Sequence, residues 1–63
     1  MMRNRRFRYE KLISSALHDA MKAYRLTIID NNIQDAQKKL KLAINQFILA
    51  HKIGDVILIE GKQ

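Results

Sequence analysis

The residues best equipped for chemistry here are cationic. Arg3, Arg5, Arg6 and Arg8 fall within six positions, ahead of any acid. A guanidinium presents a planar fork that matches phosphate with two parallel charge-assisted bonds. Phe7 and Tyr9 interleave with these arginines, and aromatic faces stack on unpaired bases. Further along, Lys11, His18, Lys22 and Arg25 recur at spacings of seven, four and three, which lines them along one flank of a helix. Lys38 and Lys39 add a third cluster that points away from a helical core and within reach of phosphate. With a rise of 1.5 Å per residue, the arginines and the helix flank together make a basic strip roughly 30 Å long. The expectation is contact with a nucleic-acid backbone through Arg3, Arg5, Arg6, Arg8, Lys11, Lys22, Arg25, Lys38 and Lys39.

Catalytic chemistry has less to stand on. Ser14 and Ser15 precede His18 by four and three positions, so hydroxyl and imidazole can meet on one helix face. No third group orients the histidine, and no glycine-rich turn supplies an oxyanion hole. Asp19 sits at the edge of the apolar stripe, where a nearby base is its natural partner. Cysteine is absent, and the two histidines, His18 and His51, lie far apart without a carboxylate cluster. A structural zinc site wants four such ligands. The reading is a non-enzyme with no metal and no cofactor.

Composition bounds the rest. Twelve Lys and Arg against six Asp and Glu give a net charge of +6 on 63 residues. Such a chain is drawn to polyanions before any specific contact forms. One domain of this length buries only about 60% of its unfolded surface, so a partner or an oligomer is the expected source of added stability. The longest uninterrupted apolar run, Val56-Ile57-Leu58-Ile59, is far short of the roughly 20 residues that span a bilayer, and no span is expected. The Arg-rich, acid-poor start shares its look with organellar transit peptides. An uncleaved basic arm over 1–8 is the reading adopted here, with the compartment left open between cytoplasm and organelle.

The elements that carry these groups are helical. Proline is absent and the glycines are Gly54 and Gly61, so nothing breaks a helix early. Tyr9, Leu12, Ile13, Ala16, Leu17, Ala20, Met21, Tyr24 and Ile28 form one broad apolar stripe, which predicts a helix over 7–29. Asp30-Asn31-Asn32 interrupts it. Asn tolerates the left-handed backbone that ends helices, and Asn32 suits an N-cap, with Asp35 near the positive helix end. Ile33, Ala36, Leu40, Ala43, Ile44, Phe47 and Ile48 then predict a second helix over 33–53, stopped by Gly54. The fold class is all-α: an antiparallel helical hairpin or small bundle with a short apolar tail over 54–63. That tail is expected to fold back over the hairpin's open end or to enter a partner. Leu42, Leu49 and Ile53 fall opposite the second stripe, in line at spacings of seven and four, and mark a protein contact.

Residues 28–57 also resemble bacterial-type small-subunit ribosomal protein twenty. The resemblance rests on the turn Asp30-Asn31-Asn32, the Ala36-Gln37 step, and Ala50, Lys52, Gly54, Val56 and Ile57 in that order. Upstream, Arg3-Asn4-Arg5 is similar to a basic element before that family's middle helix. The match covers about half of the chain. It implies a divergent or organellar member, a helical bundle seated on small-subunit ribosomal RNA with Arg3, Arg5, Arg6 and Arg8 on the backbone. The leading expectation is thus an RNA-binding structural component of a ribonucleoprotein, with structured RNA and neighbouring proteins as partners. The alternative is a small helical subunit or regulator acting through protein contacts, such as an organellar complex subunit or a phage-type modulator.

Overall fold

The computed structural model describes residues 2–61, with side chains from 4 to 61. Two long helices, α1 (Met2–Ile28) and α2 (Ile33–Gly61), pack antiparallel along their whole length. The fold is an all-α helical hairpin. It is a rod, with Cα extents of 49 × 14 × 13 Å.

The turn is built by its asparagines. Asn31 takes a left-handed backbone with φ 50°, a conformation that Asn adopts more readily than most residues. The last carbonyls of α1 are satisfied there: Arg25 accepts from the Ile29 and Asp30 amides at 2.8 and 3.1 Å, and Leu26 from Asn32 at 2.7 Å. Asn32 then caps α2. Its Oδ1 accepts from the Asp35 amide at 3.1 Å, and its Nδ2 donates to the Asp35 carboxylate at 2.9 Å. This reciprocal arrangement satisfies a free helix-start donor, as a capping box does.

The seam between the helices follows a strict heptad. On α1 its line is Arg5, Tyr9, Leu12, Ala16, Asp19, Ala23 and Leu26, with Ile13 and Ala20 half-buried beside it. On α2 it is Ala36, Lys39, Ala43, Gln46, Ala50, Ile53, Ile57 and Glu60, with Gly54 half-buried beside it. Steps of three and four alternate without a fault, the spacing that keeps one stripe facing a partner helix in a left-handed supercoil. Among the described residues those buried are Ala16, Ala23, Ala36, Ala43 and Ala50. Alanine at one seam position per heptad leaves so little side chain that the backbones approach closely.

Three expectations from sequence are corrected here. First, the helices do not meet along the widest apolar stripes: Leu17, Met21, Tyr24 and Ile28 of α1 and Ile33, Leu40, Ile44 and Ile48 of α2 are all exposed. Second, α2 does not stop at Gly54 but runs to Gly61, so residues 54–61 are helix rather than a folded-back tail. A glycine costs about 1 kcal/mol within a helix, yet here it seats a neighbour. A Cβ on Gly54 would come within 2.9 Å of Cε1 in the Tyr9 ring. Third, residues 2–8 are the first turns of α1 rather than a separate arm.

Candidate interaction surface

With the seam fixed, every other residue falls on one of two flanks or on the outer edges. Two surface clefts anchor the assignment. One is lined by Arg6, Tyr9, Gly54, Ile57 and Leu58. The other is lined by Arg8, Lys11, Leu12, Ser15 and Leu49. The heptad positions on either side of the seam make up the two flanks.

The Leu49 flank is basic. It carries Arg8, Lys11, His18, Lys22 and Arg25 from α1, and Lys38 and Lys52 from α2. Near the turn these gather around a shallow depression of ≈ 620 Å³ lined by Lys22, Arg25, Leu26, Asp30, Asp35, Lys38, Lys39 and Leu42. Lys38 reaches back to Asp35 at 3.9 Å, an exposed pair that holds little energy. Lys39, expected to point away from the core, is instead half-buried at the seam, where the heptad places it. From Arg8 to Arg25 the cationic row spans about 25 Å. Leu42 and Leu49 are exposed on this same flank, between the lysines. Ile53 does not share their face. It lies half-buried in the seam.

The N-terminal arginines are dispersed by helical geometry rather than gathered in one strip. Arg5 sits at the seam and pairs with Glu60. The Glu60 carboxylate holds the Arg5 guanidinium pKa above its ordinary value, first by hydrogen bonding and then by Coulomb attraction. Arg6 lies on the other flank and pairs with Glu10 at 3.3 Å. Arg8 joins the basic flank, and the Arg3 side chain lies outside the described residues. Phe7 is exposed, with the Lys11 ammonium 5.6 Å from its ring centroid. Tyr9 is half-buried against Gly54, so of the two aromatic residues near the start only Phe7 has a free face.

The Gly54 flank is apolar and was not separated from the core in the sequence. Ile13, Leu17, Ala20 and Tyr24 of α1 lie beside Ile33, Leu40, Ile44 and Phe47 of α2. Between Ile13 and Thr27, and between Ile33 and Phe47, its two rows contain no charged side chain. Tyr24 is 64% exposed and Ile44 50%. The signal that would have found this flank is the alanine heptad, Ala36-Ala43-Ala50 and Ala16-Ala23, which marks the seam and thereby frees the larger residues.

Besides the Arg5–Glu60 pair, a polar layer crosses the middle of the seam. Gln46 Nε2 donates to the Asp19 carboxylate at 3.0 Å, while Gln46 Oε1 is buried without a partner. The partner of Asp19 is thus an amide rather than a base. Ser14, Ser15 and His18 are all exposed on α1, and His51 pairs with Asp55 one turn on, at 3.5 Å. Among the described residues no group of three or more His, Asp and Glu is placed to hold a metal ion. By length and composition α2 passes the test for a membrane span, with an 18-residue window of mean hydropathy 1.5. Counting uninterrupted apolar runs missed this, because Asn45, Gln46, His51, Lys52 and Asp55 divide the apolar stretch between Leu42 and Ile59. Comparison with protein-family models, curated proteins and solved structures finds no match in any of the three.

Proposed function

We propose that this hairpin is an RNA-binding structural component of a ribonucleoprotein, gripping phosphate with its basic flank. The observation that carries the reading is segregation of charge. Seven of the twelve Lys and Arg residues, namely Arg8, Lys11, Lys22, Arg25, Lys38, Lys39 and Lys52, face or border one flank, while the opposite flank is uncharged through its middle. A solvated helix surface has no need to sort its charges so fully. Lys22, Arg25, Lys38 and Lys39 meet at the turn, where two helices bring cations together that the sequence holds apart. A rigid rod with phosphate contacts positions itself on a folded RNA without reading base sequence. The similarity of residues 28–57 to a small-subunit ribosomal protein supports the same partner class.

The test is a salt titration of binding to a structured RNA. Each phosphate contact contributes roughly 0.7 to 0.9 to the slope of log K against log salt. Changing Lys22, Arg25 and Lys38 together to Gln should cut that slope by about two. Changing Arg5 and Arg6, whose charges are already paired within the hairpin, should alter it by less than about one. Equal effects of the two sets would remove the basic flank from the interface. The second reading, a helical subunit acting through protein contacts, is favoured by the exposed apolar flank.

A further inference from the structure

We propose that the apolar flank docks against the same flank of a second copy of this chain, so that two hairpins close a four-helix bundle. The proposal stands apart from RNA binding and rests on surface area, core content and charge. A compact folded monomer of 7.4 kDa exposes about 4,200 Å² by the scaling of surface with mass. This chain exposes 5368 Å². Two copies packed to ordinary compactness would together cover about 3,700 Å². That area lies within the roughly 2,000–5,000 Å² of obligate homodimers.

The core leads to the same conclusion. Among the described residues the buried side chains are five alanines, and no large side chain is fully buried. Five buried methyl groups contribute only about 4 kcal/mol, and Tyr9, Leu12, Leu26, Ile53 and Ile57 along the seam are only half-buried. Leu17, Tyr24, Leu40, Ile44 and Phe47 stand instead on one flank that is uncharged through its middle, while Leu42, Leu49, Val56 and Ile59 are exposed among the cations of the other. A two-fold pairing places a surface against itself, which like charges would oppose and which a row of aliphatic and aromatic groups permits. Leu17, Ile44 and Phe47 lie near the middle of the rod, so an antiparallel pairing of two hairpins brings them to the dyad.

A lipid surface is the competing occupant, because helices that lie in a membrane interface also set an apolar face opposite a basic one. Vesicle flotation separates the two. In the bundle both basic flanks remain outside, on opposite sides of the dimer.

Sedimentation equilibrium of the full chain, freed of nucleic acid and run from micromolar to a few hundred micromolar, tests the proposal. Wild type should give twice the chain mass. Ile44→Glu with Phe47→Glu should raise the dimer dissociation constant about 100-fold or more, and Leu49→Glu on the basic flank should leave it within about threefold. If the double variant also loses helicity, the melting midpoint of wild type is decisive. A midpoint that rises with protein concentration supports the dimer, and one independent of concentration overturns it. Wild type that stays monomeric throughout the range overturns it as well, and so does dissociation by Leu49→Glu but not by the double variant. Monomer that floats with phosphatidylcholine vesicles would assign the flank to lipid.

Discussion

Replacing Ala43 with leucine probes the seam at its centre. Ala43 is 1% exposed and lies between Ala36 and Ala50, which are 4% and 0% exposed. Leucine adds three carbons. If the site had room, their burial would add about 2.4 kcal/mol at roughly 0.8 per methylene. The close approach of the helices leaves no such room. The helices must part locally, which also loosens the flanking alanines and the 3.0 Å bond from Gln46 to Asp19. Overpacking of this kind costs about 1–3 kcal/mol. For a domain of this size each kcal/mol lowers the midpoint by about 4–8 °C, so the expected loss is roughly 5–20 °C. The assay is thermal melting followed by circular dichroism, at one fixed protein concentration because association shifts the midpoint. Lys41→Leu, on the outer edge of the same helix, controls for added apolar character and should move stability by less than about 0.5 kcal/mol. A rise of several degrees for Ala43→Leu would refute the reasoning. It would mean that the helices meet elsewhere, along the Leu40–Phe47 stripe.

Other outcomes follow from single contacts. Asn32→Ala should cost about 0.5–2 kcal/mol by removing the α2 cap, measured by urea titration of helicity. Asp19→Ala leaves the buried Gln46 amide without its acceptor and should cost about 1–3 kcal/mol; adding Gln46→Leu should recover most of it in a double-mutant cycle. Gly54→Ala gains about 1 kcal/mol of helix propensity but must displace the Tyr9 ring, so it should be near neutral alone. In a Tyr9→Leu background the same change should stabilise by about 1 kcal/mol, and an equal effect in both backgrounds would separate Gly54 from Tyr9.

The helical class and the turn were legible because local chemistry decides them. Absence of proline, the Asp30-Asn31-Asn32 break and the Asn32 cap are all short-range signals, and α2 begins at Ile33 as the spacing predicts. The end of α2 was not legible. Gly54 reads as a stop, and only its contact with Tyr9, some 45 residues away in sequence, explains why the helix continues. The seam was misplaced for a related reason. Apolar residues make up about half of each helix, so a wheel selects the broadest stripe, whereas close packing selects the smallest side chains. Once the seam moved to the alanines, Ile53 shifted inward from a surface row, and Leu42 and Leu49 stayed outside. The arginines within 3–8 looked like one site because they are adjacent in sequence, yet a helix turns neighbours by about 100° and points them apart.

The helices meet along the alanine heptad, in a register that places Tyr9 on Gly54 and so sends most of the cations to one flank and leaves the middle of the other without charge. Nuclear Overhauser contacts between the Tyr9 ring protons and the Gly54 α-protons test that register directly. The chain has two tyrosines and two glycines, so the cross-peaks are readily assigned. A strong Tyr9–Gly54 contact, with helical shifts continuing through Val56 and Ile57, is the predicted result. Its absence, or a Tyr9 contact with Phe47 or Leu40 instead, would contradict the seam and dissolve both flanks.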